Sequence, residues 1–159
     1  MIHRLIATGM VSAAIAALAP SAQAATTDDL RNAAGQTNGC RSQVSLRTGP
    51  QGRVIIGLKV DCPSSADVHR ISGMIKIDRV EPDGSLLTLA PWESFGSLSS
   101  SREPLTSFES RSTTPCSTYG LTGAARLRVT ARGATMTTVD HTDPDPYVAR
   151  VSIARDVAC

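Results

Sequence analysis

The chain has 159 residues, its formal net charge at pH 7 is +2, and only 3% of its residues are aromatic. A protein that binds nucleic acid or an anionic membrane would carry a strong basic excess or a run of Lys and Arg, and this sequence has neither. So few rings also argue against a stacking platform for single-stranded nucleic acid. The composition therefore predicts a mature protein with no nucleic-acid partner and no membrane partner.

Residues 1–24 have the pattern of a secretory signal peptide. A short basic start precedes the mostly apolar run 5–18, and the sequence AQA at 22–24 is a small-x-small cleavage site. The apolar run is shorter than the ~20 residues that a membrane-spanning helix needs. We therefore expect cleavage near Ala24, secretion to the extracellular space or the periplasm, and one disulfide-stabilised β domain over residues 25–159. The excess of arginine over lysine points to a GC-rich bacterial source.

The first segment of the mature part has the features of a helix start. Thr27 is a candidate N-cap, and Asp28 and Asp29 follow it where the positive end of a helix dipole would lie. We therefore expect a brief helical turn over residues 27–34.

Residues 42–48 and 54–60 alternate apolar and polar side chains, with Ile55 as the exception, which is typical of two half-buried strands. The cluster Gly-Pro-Gln-Gly between them predicts a turn centred on Gln51. A one-residue slip from this register would break the apolar face, a charge pair and a cysteine pair together. The predicted opposite pairs are Cys40 with Cys62, Val44 with Leu58, Leu46 with Ile56, Arg41 with Asp61 and Gln43 with Lys59.

Four cysteines follow the export signal, namely Cys40, Cys62, Cys116 and Cys159. An even number in an exported chain predicts two disulfides. The hairpin register predicts Cys40–Cys62, because directly opposite residues have the Cα spacing that a disulfide requires. Cys116–Cys159 follows by elimination and needs a bulge near Gly120 or Gly123. No C-x-x-C pair or known Cys/His spacing occurs, so no metal and no cofactor is predicted.

The remaining strands are predicted from alternation and turn residues. The serine-rich stretch 97–112 reads as a surface loop containing one short strand. About seven short strands without a long amphipathic helix predict an all-β fold, namely an antiparallel β-sandwich of immunoglobulin-like style, with a small β-barrel as the alternative. The predicted strands are 69–80, 85–90, 105–110, 121–132 and 147–157, in addition to the hairpin.

Three places in the chain could carry chemistry or binding. His69 follows Asp67 by two residues, which would put both on one face of a strand, and this suggests a hydrolase with a Ser-His-Asp triad. Arg102, followed by Glu103 in the serine-rich loop, could anchor a trypsin-like protease, although serine content suggests a mobile loop. The acidic loop 140–145 could bind calcium through its carboxylates or be an ordinary solvated loop.

The absence of a complete catalytic pattern favours a non-enzymatic role. Trp92 is expected to cap the core, with the anchor of a binding patch as the alternative. No motif is specific enough to indicate a family. The leading hypothesis is a secreted binding or interaction module of unknown ligand, whose partner could be another extracellular protein. The second hypothesis is a protease inhibitor that presents the loop around Arg102, and the third is a hydrolase that uses His69.

Overall fold

The computed structural model describes residues 25–140 and 142–159. The predicted signal peptide over 1–24 and His141 lie outside these described residues. No helix in the described part is long and apolar enough to cross a membrane. Eight strands are described: β1 (Ala25–Arg31), β2 (Thr37–Gly49), β3 (Arg53–Asp61), β4 (Arg70–Val80), β5 (Leu86–Ser99), β6 (Ser107–Pro115), β7 (Ala124–Met136) and β8 (Tyr147–Ala158). Two short 3-10 turns lie at Ser64–Ala66 and Cys116–Tyr119.

All eight strands form one antiparallel sheet in the order β5-β4-β7-β8-β1-β2-β3-β6. The two edge strands curl toward each other, and a Cβ placed on Gly96 of β5 would lie 3.3 Å from the Phe108 ring of β6. The sheet is therefore nearly closed into a barrel. The all-β prediction is confirmed, and the architecture is the small barrel that was the alternative to the sandwich.

The eighth strand comes from the segment that was expected to be helical. Residues 25–31 form β1, which pairs with β2 and places Asp29 directly opposite Arg41. The helical prediction for 27–34 is wrong, because backbone pairing with a neighbouring strand outweighs a weak local capping signal.

The β2–β3 hairpin has the predicted register over its whole length. Its inward-facing apolar side chains, such as Leu46 and Ile56, are almost fully buried. The disulfide Cys40–Cys62 closes this hairpin as predicted, with a Cα–Cα distance of 4.1 Å. The alternation of side chains was sufficient to fix this part of the fold, because one face is buried and the other is not.

The charge pairing across this hairpin differs from the expectation. Arg41 is opposite Asp61, but its Nε lies 2.9 Å from Oδ1 of Asp29 in β1. The carboxylate of Asp61 instead forms a salt bridge with Nζ of Lys59, at 2.7 Å. β2 has neighbours on both sides, and the unpredicted strand β1 supplies the carboxylate that Arg41 contacts.

The second disulfide, Cys116–Cys159, is also confirmed, but without the expected bulge. The register between β7 and β8 is unbroken from Ala124 to Thr135. Cys116 lies in a turn before β7, and left-handed conformations at Gly120 and Gly123, with φ of 65° and 77°, bring the chain around to that strand. Two disulfides are typical of proteins in oxidising compartments outside the cytoplasm.

The serine-rich stretch is mostly strand, not loop. β5 continues to Ser99 and β6 begins at Ser107, so only residues 100–106 remain as a connection. β6 pairs with β3 over nine consecutive residue pairs. Serine has little intrinsic preference for strands, so the ladder to an apolar neighbour decides the structure here.

Candidate functional site

The connection 100–106 is held to the barrel at both of its ends. The backbone N–H of Ser100 donates to the carbonyl oxygen of His69, at 2.9 Å, and that of Leu105 donates to the carbonyl of Val68, at 2.6 Å. These bonds tie the loop to the segment that leads into β4. The serine content suggested a mobile loop, but these hydrogen bonds hold both of its ends.

Arg102 and Glu103 are exposed at the tip of this loop. The backbone N–H of Glu103 donates to Oγ of Ser100, at 3.2 Å, so the chain bends at the tip. Arg102 makes no salt bridge with any residue of 25–140 or 142–159. The guanidinium is therefore available to a partner, on a frame that is fixed at both ends.

Both ring nitrogens of His69 contact oxygen atoms of nearby residues. Its Nδ1 lies 2.8 Å from the carbonyl oxygen of Ser100, which can only accept, so Nδ1 must carry a hydrogen. Its Nε2 faces the carboxylate of Asp67, at 3.4 Å. Both ring nitrogens thus face acceptors, and no hydroxyl in the described part of the chain bonds to the ring. The contacts of His69 fix the loop, and the hydrolase hypothesis finds no support in them.

Asp140 and Asp143 of the acidic loop 140–145 accept hydrogen bonds from nearby residues of the chain, whereas Asp145 accepts the backbone N–H of Ala33, at 2.9 Å. Asp143 accepts the N–H of Thr137, at 2.9 Å, and that of Asp145, at 3.0 Å, and these bonds hold the pKa of Asp143 below its usual range. The hydroxyl of Thr142 and, to a smaller extent, its backbone N–H donate to the carboxylate of Asp140 and likewise lower its pKa. Across 25–140 and 142–159, no cluster of three or more His, Cys, Asp or Glu side chains is arranged to hold a metal ion.

Trp92 lies outside the core cluster, so the expectation that it caps the core is wrong. The guanidinium carbon of Arg150 in β8 is 5.3 Å from the centroid of the Trp92 ring. β4 and β7 lie between β5 and β8 in the sheet, so this contact extends across the outer face of both. Trp92 and Arg150 together form a cation–π pair on the outer surface.

A cleft of about 700 Å³ lies where the edge strands β5 and β6 face each other. At Gly96 the gap is closed, because a Cβ there would be 3.3 Å from Phe108 and 3.4 Å from Oγ of Ser110. The cleft extends from this closed end toward Thr114 and Tyr119. Sequence reasoning missed this feature, since it treated most of β6 as loop.

One wall of the cleft is a row of hydroxyl groups. Ser110, Ser112 and Thr114 of β6 are directly opposite three apolar residues of β3, so they face the barrel interior with them. All three are half-buried, and Oγ of Ser112 is 2.9 Å from Oγ1 of Thr114. Hydroxyls are expensive to bury without partners. This wall therefore suits a hydrated cleft or a polar ligand.

The other wall carries an unpaired carboxylate. Glu93 of β5 is opposite Ile75, whose side chain is 2% exposed, so Glu93 is on the interior side and lines the cleft. It makes no salt bridge with the residues that the structure describes. Ile75, Leu89 and Phe95 line the cleft with apolar surface. An apolar floor with a few polar groups is typical of a binding site.

The two edges differ in regularity. The register of β5 against β4 shifts at several positions, and Pro91 has no backbone N–H to offer. The register of β6 against β3 is unbroken, and its other edge pairs with no described strand. β5 is therefore protected against strand addition by the devices common at sheet edges, whereas β6 is not.

No protein-family model matches the chain, and none of the curated proteins is detectably similar to it in sequence. The function is therefore argued from the geometry of the sites alone.

Proposed function

We propose that the protein is a secreted, non-enzymatic binding module that takes up an extended peptide segment in the cleft between β5 and β6. The observation that carries this proposal is the regular, unpaired edge of β6, whose inward-facing row is Ser110, Ser112 and Thr114. An added strand would bond to this edge through its backbone, and its alternate side chains would enter the cleft.

The charge in the cleft supports a preference for basic peptides. Glu93 and Arg111 are the charged residues of the cleft lining, and no salt bridge joins them, so a Lys or Arg side chain of the added strand would give the inward-facing Glu93 a partner. Charge-assisted hydrogen bonds are stronger than those between neutral groups. Among the peptide side chains that enter the cleft between β5 and β6, apolar or hydroxyl-bearing residues would thus alternate with basic residues.

The test is selection from a display library of random peptides on the immobilised protein. Wild type should enrich peptides that alternate and carry a basic residue, and Ser112→Leu should lose them, because the larger side chain fills the cleft. Thr113→Leu is the matched control, since Thr113 lies on the same strand but is exposed on the outer face. When an enriched peptide is added, the NMR resonances of the protein's backbone amides that shift should be those of β6.

The role of Glu93 has a separate readout. Glu93→Gln should remove the preference for a basic residue without preventing selection of alternating peptides. The proposal fails if wild type enriches no peptides, or if Thr113→Leu abolishes enrichment as fully as Ser112→Leu.

Protease inhibition is a second candidate function. It is favoured by the exposed guanidinium of Arg102 on a loop that hydrogen bonds hold at both ends. Preorganisation of this kind lowers the entropy that binding must overcome. Inhibition constants against trypsin-like and subtilisin-like proteases should rise when Arg102 is changed to Ala and stay constant for Arg111→Ala, an exposed arginine of β6. Equal inhibition by all three proteins, or none by wild type, would remove this candidate.

A further inference from the structure

A second groove, of about 340 Å³, lies on the outer face of β5, β4 and β7. Ile71, Gly73 and Ile75 of β4 are buried, so the alternating residues Arg70, Ser72 and Met74 face outward. The strand registers arrange the outward residues in rows that run across the strands. The groove therefore crosses the strands and is formed by side chains, because the backbone groups of β4 and β7 are used in their ladders.

The middle row of this face is made of small residues. Ser72 of β4 is opposite Ser97 of β5 on one side and Ala134 of β7 on the other. The row on one side holds Arg70 opposite Met136, and the row on the other side holds Met74 opposite Arg132. A low row between two higher ones makes the groove, and Ser94 adds a third hydroxyl to its lining.

The charge of this groove is uncompensated. Arg132 lines the groove, and Arg150, directly opposite it in β8, lies beside the groove and outside its lining; both are exposed. Like charges in directly opposite positions destabilise a sheet. Neither residue forms a salt bridge with another residue of the described ranges, and no acidic side chain lines the groove. The arrangement is therefore more stable with an anion present than without one.

A third guanidinium lies at the other wall. Arg70 donates from one Nη to the carbonyl oxygen of Val139, at 3.0 Å, while its Nε is buried and has no partner among the described residues. The guanidinium group is a planar donor that matches carboxylate and sulfate oxygens in pairs. The groove thus presents two cationic walls above a floor that carries hydroxyl groups.

We propose that this groove binds an acidic saccharide, a chain that carries uronate carboxylates or sulfates. Guanidinium groups on the two walls would hold the anionic groups, and the serine hydroxyls of the floor would bond to ring hydroxyls. An acidic peptide fits less well, because the groove crosses the strands and the sheet edge beside it is that of β5, whose shifted register and Pro91 hinder strand addition. Trp92, under Arg150 at the end of the arginine row, helps to hold that guanidinium in place. The groove shares Ser94 and Gly96 of β5 with the lining of the β5–β6 cleft, but its guanidinium groups lie on β4 and β7, so the saccharide proposal does not depend on the peptide proposal.

The test is calorimetric titration of the full mature domain with three oligosaccharides of equal length, namely oligogalacturonate, a sulfated oligosaccharide and a neutral dextran, and with polyglutamate as the acidic-peptide comparison. Either or both acidic chains should bind, and the two arms separate carboxylate from sulfate recognition. Dextran should not bind. Arg132→Gln and Arg150→Gln should each raise the dissociation constant roughly tenfold, the change expected for one lost charge-assisted contact.

Arg111→Gln is the matched control, because Arg111 is an exposed arginine of β6 on another part of the surface and its loss changes the net charge equally. It should change the dissociation constant by less than about twofold, as expected for screened, distant charge. The proposal is overturned if neither acidic chain binds, if all three arginine variants weaken binding equally, or if polyglutamate binds and the saccharides do not.

Discussion

β3 and β6 pair along the whole length of β6, yet they line the barrel with opposite chemistry. The inward row of β3 contains Val54, Ile56 and Leu58, each at most 1% exposed, whereas the facing row of β6 contains hydroxyls. β3 has a ladder partner on both sides and β6 has one on only one side. The barrel is open where its inward row is polar, since an apolar row there would favour closure of the gap between β5 and β6.

A hydroxyl also occurs on the closed side, with a different consequence. Ser42 of β2 is fully buried, and its Oγ has no partner among the described residues. It faces Gly133 of β7, where a Cβ would lie 2.8 Å from that oxygen. The hydroxyls of the seam are half-buried and two of them bond to each other. A side-chain hydroxyl thus lacks a hydrogen-bond partner among the described residues at Ser42 of β2, whereas the hydroxyls of Ser112 and Thr114 in β6 bond to each other.

The largest expected effects on stability come from loss of the disulfides. Replacing Cys116 and Cys159 with Ala should lower the free energy of unfolding by roughly 4 kcal/mol, and replacing Cys40 and Cys62 should lower it by roughly 3 kcal/mol, because the bridges close segments of 43 and 22 residues. Urea denaturation measures both values.

Loss of the Cys116–Cys159 disulfide should also weaken peptide binding, whereas loss of Cys40–Cys62 should not. Cys116 begins the turn that follows β6, and Tyr119 of that turn lines the cleft. Binding is measured under conditions in which denaturation curves show both variants folded. Equal losses of peptide affinity in the two variants would contradict the placement of the peptide site in the cleft between β5 and β6.

A pair of facing residues gives the next largest effect. Ile56→Ala should destabilise the protein by roughly 3 kcal/mol, because it leaves a cavity in a packed core. Ser112→Ala, directly opposite, should cost less than about 1 kcal/mol, since it removes a half-buried hydroxyl from a cleft. Thermal or urea unfolding of both variants would show the difference, and similar losses would mean that the seam is packed as tightly as the core.

The smallest effect is expected to be favourable. Ser42→Ala removes a buried hydroxyl without a partner among the described residues, so the free energy of unfolding should rise by about 1 kcal/mol. Ser110→Ala in the seam is the comparison and should give no increase. A loss of stability in Ser42→Ala would show that its hydroxyl is satisfied in solution.

The sequence was informative where one strand face is buried and the next strand follows in the chain. The β2–β3 hairpin met both conditions, and its register and disulfide were predicted residue by residue. β1 was missed because its two aspartates resemble a helix start and because its pairing with β2 is not visible in its own alternation. β6 was taken largely for loop because serine gives no hydrophobic period, although its neighbour β3 forces it to be a strand.

The sequence by itself determined the all-β class, the hairpin between Cys40 and Cys62, and the pairing of the remaining two cysteines, since local alternation and a cysteine count are properties of the chain. The tertiary structure alone decided that the sheet curls into a barrel with an open seam. It also decided that Arg132 and Arg150, 18 positions apart in a nearly neutral chain, lie directly opposite each other on the outer face. Both features depend on which distant strands become neighbours, and that choice is made by the burial of the whole core and not by any single segment.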